Sequence, residues 1–138
     1  VTSQAVGDLT LIRLTDKGSL TFAAGSATLT PKGKSSLDII AGELARAHPE
    51  GLVLVVGHTD AQPIKHSPFE SNLHLSLTRS RAVSEYLSSR GTARNRIVTC
   101  GRGELDPLEN ATDSLLNRRV EVICVPPNSH LMQIVGGR

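Results

Sequence analysis

Hydrophobic and polar residues alternate between two rhythms along the chain. Residues 9–14 (Leu-Thr-Leu-Ile-Arg-Leu) are rich in β-formers and predict a strand, which residues 20–22 (Leu-Thr-Phe) resume after a turn signal at Asp16-Lys17-Gly18. The small, Gly-containing stretch 23–29 predicts a loop. Thr30-Pro31 is a helix start, with Thr30 as N-cap and Pro31 in the first helical position. Leu37, Ile40, Ala41 and Leu44 then recur at helical spacing, and His48-Pro49-Glu50-Gly51 stops the helix. Residues 52–56 (Leu-Val-Leu-Val-Val) form the longest unbroken apolar run, which predicts a central strand covered on both faces. After an aperiodic loop, Asn72 offers a cap to a second amphipathic helix carrying Leu75, Ala82, Val83, Tyr86 and Leu87, with Gly91 as its C-terminal stop. Residues 97–100 and 120–125 read as strands, and residues 111–117 as one or two helical turns between them. Residues 1–8 read as a loose lead-in, 9–125 as the folded domain and 126–138 as a tail after Pro126-Pro127.

The order β-α-β-α-β-(α)-β predicts an α/β sandwich, its helices packed on a sheet. The 138 residues are one domain of ordinary size, able to bury roughly two-thirds of the unfolded surface without disulfide or metal. With 38% hydrophobic and 20% charged residues the composition is globular rather than disordered. Phe22, Phe69 and Tyr86 are the only aromatics, which argues against platforms that stack bases or sugars. The net charge of +2 is too small for an electrostatic DNA binder, and eight of the fifteen basic residues lie between Arg79 and Arg119, interleaved with Glu85, Glu104, Asp106, Glu109 and Asp113. Nucleic acid is therefore not an expected partner. No apolar run approaches the roughly 20 residues of a membrane span. The chain opens at Val1 rather than Met, as expected of a fragment or processed form. Cys100 and Cys124 lie in apolar or β-branched runs outside any C-x-x-C pair, where a small buried hydrophobe is expected.

Three local features carry candidate chemistry. Gly57-His58-Thr59-Asp60 directly follows the buried strand, where ligand sites of open α/β sheets gather, although a turn Asp capping its own backbone gives the same pattern. In Asn72-Leu73-His74-Leu75-Ser76-Leu77-Thr78-Arg79, Arg79 shares the inward side of the helix with Leu75 and needs an anion, either a ligand or an internal partner such as Asp60. Arg81, about 200° round the helix from Arg79, is expected in solvent. In Asn117-Arg118-Arg119-Val120-Glu121 the two arginines must point to opposite faces of a strand, one solvated and one packed against a carboxylate. His58, Asp60, His66 and His74 invite a metal or acid–base reading, but no H-E-x-x-H, nucleophile elbow or phosphate loop accompanies them, so no enzyme, metal or cofactor is expected.

Together these segments resemble the OmpA C-terminal-like peptidoglycan-binding domain over residues 9–125. Phe22 with Gly25-Ser26-Ala27-x-Leu29-x-Pro31 and Gly101-x-Gly103-Glu104-x-x-Pro107 match further family segments. Asp60-Ala61-Gln62-Pro63-Ile64 and Phe69-x-Ser71-Asn72 look most like the stator-protein MotB branch and the type VI secretion TssL or TagL branch. Ala23 stands where the family often has Asp, Arg102 where it often has an aromatic, and residues 110–117 look shorter than usual. The resemblance implies helices on a mixed four-stranded sheet, and a periplasmic domain of a membrane-anchored protein whose anchor lies outside these residues.

The resemblance also implies the ligand: the meso-diaminopimelate of the peptidoglycan stem peptide, whose distal carbon carries an ammonium and a carboxylate. Asp60 would accept from the ammonium and Arg79 would grip the carboxylate in bidentate fashion. Asn72, Thr59 and Leu75 would line the pocket, and Phe22 and Arg119 would form its walls. Implied protein partners are other subunits of a membrane-anchored complex, a homodimer among them. The alternative is an OmpA-like fold kept for assembly or dimerisation without wall binding.

Overall fold

The computed structural model describes residues 2–17, 21–23, 25–64 and 67–130. Their elements are β1 (Thr2–Val6), β2 (Leu9–Thr15), α1 (Pro31–Ala47), β3 (Leu52–His58), α2 (Asn72–Ser89), a short 3-10 turn (Arg94–Arg96), β4 (Ile97–Gly101) and β5 (Arg119–Val125). The strands form one mixed sheet in the order β1-β2-β5-β3-β4. Only β3 and β4 pair in parallel, joined by the α2 crossover; every other neighbour is antiparallel.

Register explains where the core sits. Ile12 faces Val122, which faces Val55, and Leu14 faces Val120, so these side chains share one side of the sheet. They pack with Phe22 against Leu37, Ile40 and Leu44 of α1 and Val83 and Leu87 of α2. The helix starts follow capping chemistry. Thr30 Oγ1 accepts the Gly33 N–H at 2.9 Å, and Ser71 Oγ accepts the His74 N–H at 3.0 Å. The cap of α2 is thus Ser71; Asn72, expected as the cap, is its first helical residue.

The sheet has five strands rather than four. Residues 2–6, expected as part of a loose lead-in, pair antiparallel with β2 through a tight turn at Gly7-Asp8, where Gly7 takes φ +61°. All five residues of β1 are exposed, so no apolar face marks them in the sequence. Residues 111–117 form no helix but a hydrogen-bonded turn, in which Asn117 and Arg118 N–H both reach the Ser114 carbonyl. The Asn117 side chain holds this loop instead, accepting from the Leu108 and Glu109 N–H groups and donating to the Glu109 carbonyl.

β3 is not covered on both faces as its apolar run suggests. Val53 and Val55 are fully buried, while Leu52, Leu54 and Val56 on the other side are half-buried. Leu11, Ile123, Leu54 and Val98 follow one another across that side of the sheet. Cys124 lies on the core side and Cys100 opposite Val56 on the other, with β3 between their strands; both thiols are free. Burial pushes the Cys124 thiol up to about 11, so it behaves as a hydrophobe. Phe22 bridges to Leu29, closing the loop expected at 23–29. Gly18, Leu20, His66 and the tail from residue 131 lie outside the described residues.

Two glycines set the position of α2. A Cβ on Gly57 would stand 2.1 Å from the Ser76 carbonyl oxygen, and one on Gly101 would stand 2.8 Å from Ser76 Oγ and 2.9 Å from the Leu77 nitrogen. The helix backbone therefore rests directly on the C-terminal ends of β3 and β4. Its N-terminus is carried over the residues that follow β3.

Candidate functional site

The chain leaving β3 is pinned on both sides. Thr59 N–H donates to the Gly103 carbonyl at 2.8 Å, and Ala61 N–H to the Thr112 carbonyl at 3.1 Å. Asp60 is held between them, 6% exposed. Its Oδ1 accepts the Gln62 N–H at 3.3 Å. Its Oδ2 accepts from Arg118 Nε at 2.8 Å and Nη2 at 2.7 Å. Arg118 Nη2 also donates to the exposed Asp113 at 2.9 Å.

Arg79 comes from the buried side of α2 and is 3% exposed. Its Nε donates to the Ser26 carbonyl at 2.8 Å and its Nη2 to the Ala23 carbonyl at 3.2 Å. The guanidinium lies 4.9 Å from the Phe22 ring centroid, and its Nη1 is 3.7 Å from Asp16 Oδ2. Burial pulls the Arg79 pKa down, opposed by Asp16. Burial pushes the Asp16 carboxyl up, opposed by Arg79. Of the two alternatives open to Arg79, a ligand anion or an internal partner such as Asp60, the internal partner present is Asp16, and Asp60 is paired with Arg118.

Asp60 and Arg79 line one open cleft of about 190 Å3. Thr59, Asn72 and Leu75 line it with them, and Asn72 Nδ2 donates to the Gln62 carbonyl at 3.2 Å. The remaining wall is Gly25, Gln62, Pro63, Ile64, Ser67 and Arg118. Five of the seven residues singled out in the sequence thus meet in one place, and Phe22 and Arg119 stand outside it. Phe22 packs behind Arg79 in a crevice with no room for water. Arg119 is buried on the side of the sheet away from the helices, donating to Glu121 at 2.9 Å and to the Asp106 carbonyl at 2.9 Å. Arg13 and His58 approach the same Glu121 at 3.0 and 3.4 Å. Although burial pushes the Glu121 carboxyl up, these partners more than offset it and hold it at about 2.

Arg118 is the cleft residue that sequence reasoning left unassigned. Alternation places it opposite Arg119 but does not name its partner. The register that sets His58 against Arg119 does, because it leaves Arg118 next to the chain leaving β3. The His58 ring faces Glu121, His74 Nδ1 accepts the Glu70 N–H, and no cluster that could hold a metal ion occurs among the described residues. No helix among the described residues is long and apolar enough to cross a membrane.

Known proteins share the sequence pattern and the fold that carry this cleft. The sequence pattern of the OmpA family matches residues 21–120, which takes in the Phe22 loop, the cleft and the entry to β5. Outer membrane protein A of Klebsiella aerogenes is 30% identical over 132 residues, which are 94% of this chain and 37% of that protein. The chain therefore spans little more than a third of that relative. Among solved structures, the periplasmic domain of Helicobacter pylori MotB superposes with a TM-score of 0.84 at 20% identity, covering 97% of this chain and 94% of that one, a likeness of fold. The cell wall anchor of the T6SS from Pseudomonas aeruginosa superposes with a TM-score of 0.79 at 29% identity, covering 91% and 87%. A family pattern spanning most of the chain, on a fold shared at both levels of identity, makes this chain a member of the OmpA family.

Proposed function

We propose that this chain binds peptidoglycan non-covalently through the meso-diaminopimelate of the stem peptide, and so anchors a membrane-attached envelope complex to the cell wall from the periplasm. The observation that carries this reading is the placement of Asp60 and Arg79 on one cleft at the N-terminus of α2. The distal end of diaminopimelate offers an ammonium and a carboxylate on one carbon, and the cleft offers one anion and one forked cation. Asp60 has lone pairs beyond those used by Arg118 and Gln62, enough to accept from an ammonium. Arg79 has N–H groups beyond those given to Ala23 and Ser26, enough to meet a carboxylate. Amide groups of the first turn of α2 add positive potential. Pro63, Ile64 and Leu75 supply an apolar wall for the methylene chain. Family membership and the likeness to a cell wall anchor support the same reading.

An open site with one charge pair on each side implies a dissociation constant on the order of micromolar to millimolar. Firm anchoring then depends on several copies bound to one wall mesh. The carrier would be a complex of the stator or type VI secretion kind. The test is co-sedimentation with purified sacculi. Wild-type protein pellets with the wall, whereas folded Asp60→Asn and Arg79→Ala stay in the supernatant; unchanged pelleting of both variants overturns the reading.

A second reading, assembly without wall binding, draws on exposed Leu73, Leu77 and Leu105 close to Gly101 and Gly103 at the end of β4, where Arg102 is also exposed. Failure of the wild-type protein to pellet with sacculi favours it.

A further inference from the structure

The geometry points to Asp16 as a positioning residue of the cleft: a buried counter-ion that holds Arg79 away from Asp60, so that the two groups meant for the ligand do not neutralise each other. The inference rests on the stem-peptide reading of the cleft. In the sequence, Asp16 is only the first residue of a turn signal. In the structure it is 6% exposed, and its N–H donates to the Arg118 carbonyl at 3.0 Å. Its carboxylate takes the Phe22 N–H and faces Arg79 Nη1 at 3.7 Å. Asp16 shares with Phe22 and Arg79 a crevice too small for water, and it is not part of the cleft wall. A ligand in the cleft would therefore meet Arg79 without touching Asp16.

A guanidinium buried to 3% exposure requires a nearby anion. Two carboxylates can supply it: Asp16 behind the cleft and Asp60 within it. Asp60 already holds Arg118, so the charges around the cleft divide into two pairs, Asp16 with Arg79 and Asp60 with the half-buried Arg118. The Asp16–Arg79 distance exceeds hydrogen-bond length. Asp16 thus compensates the charge of Arg79 while leaving Nη1 donors free. If Asp16 loses its charge, Asp60 becomes the nearest source of compensation. Arg79 then leaves the Ser26 carbonyl, crosses the cleft and occupies both ligand-reading groups at once.

The test uses Asp16→Asn, which keeps an acceptor for the Phe22 N–H and removes only the charge. In ligand-free protein, the Arg79 Nε–H signal in a nitrogen-15 NMR spectrum should move away from its wild-type position, and adding Asp60→Asn to the variant should reverse that move. Affinity for a stem peptide containing meso-diaminopimelate should fall at least tenfold, and Asp16→Glu should recover most of it. A purely structural role would lower the melting temperature and leave the Arg79 signal of the folded protein in place. If Asp16→Asn does not fold, Asp16→Ser serves in the same way. An unmoved Arg79 signal, or binding as tight as or tighter than wild type, overturns the inference. If the wild-type protein does not bind the peptide, the stem-peptide reading fails, and the ligand-free signal still decides the role of Asp16.

Discussion

Arg118 grips Asp60 through Nε and Nη2 at 2.8 and 2.7 Å, although the two residues stand 58 positions apart in the chain. The pair ties the loop entering β5 to the chain leaving β3, and it fixes the carboxylate at the floor of the cleft. Breaking it would leave Asp60 buried without its strongest partner. Arg118→Gln should therefore cost on the order of 2 kcal/mol at neutral pH, less than for a fully buried pair because the Arg118 side chain is 22% exposed. Urea denaturation of wild type and variant measures this; a difference below about 0.5 kcal/mol would mean that the pair is solvated and adds nothing.

The backbone contact between α2 and β3 predicts a steric failure. Gly57→Ala places a methyl 2.1 Å from the Ser76 carbonyl oxygen, a backbone atom that yields only if the helix shifts. We expect a loss of at least about 2 kcal/mol, in the range of overpacked cores, together with weaker ligand binding because Asn72, Leu75 and Arg79 ride on the same helix. Gly42→Ala is the control. Gly42 is an exposed helical position with open space around it, so the change should be neutral or slightly stabilising. Equal melting temperatures for Gly57→Ala and wild type would contradict the close packing.

Glu121 predicts a pH dependence. Its carboxyl is held at about 2, below its ordinary value of 4.5, by His58, Arg119 and Arg13 acting against burial. A depressed folded pKa contributes stability that is fully present above the unfolded value and is lost as pH falls through the folded one. The contribution, on the order of 3 kcal/mol, should therefore disappear between about pH 4.5 and pH 2. Asp16 acts in the opposite sense, because its raised pKa costs stability at neutral pH and that cost is relieved on protonation. The difference between wild type and Glu121→Gln isolates the first effect. It should be large at pH 6 and shrink steadily below pH 4.5, as followed by denaturant melts; a difference independent of pH would rule out the charge as its source.

Local chemistry made much of this arrangement legible. Thr30-Pro31 starts α1, apolar residues at helical spacing mark the buried faces of both helices, and the apolar run of β3 leads directly to Asp60. Helix geometry alone put Arg79 beside Leu75 on the inward side. What stayed hidden depends on contacts between distant segments. Asp60–Arg118 and Arg79–Asp16 need the strand register and the loop over α2, neither of which a single sequence window contains. β1 stayed hidden for another reason: its residues are exposed, and an edge strand with no buried face leaves no alternation to read. Residues 111–117 read as one or two helical turns, yet the loop is organised by one buried Asn117 side chain that holds the backbone of residues 108 and 109.

The most direct test of wall anchoring is an NMR titration of the nitrogen-15-labelled domain with a stem peptide containing meso-diaminopimelate, beside a lysine-containing peptide that lacks the distal carboxylate. Saturable shifts at Thr59, Asp60, Asn72 and Arg79 with the first peptide alone are the predicted result. Equal shifts with both peptides, or none with either, would contradict recognition through the Asp60 and Arg79 pair.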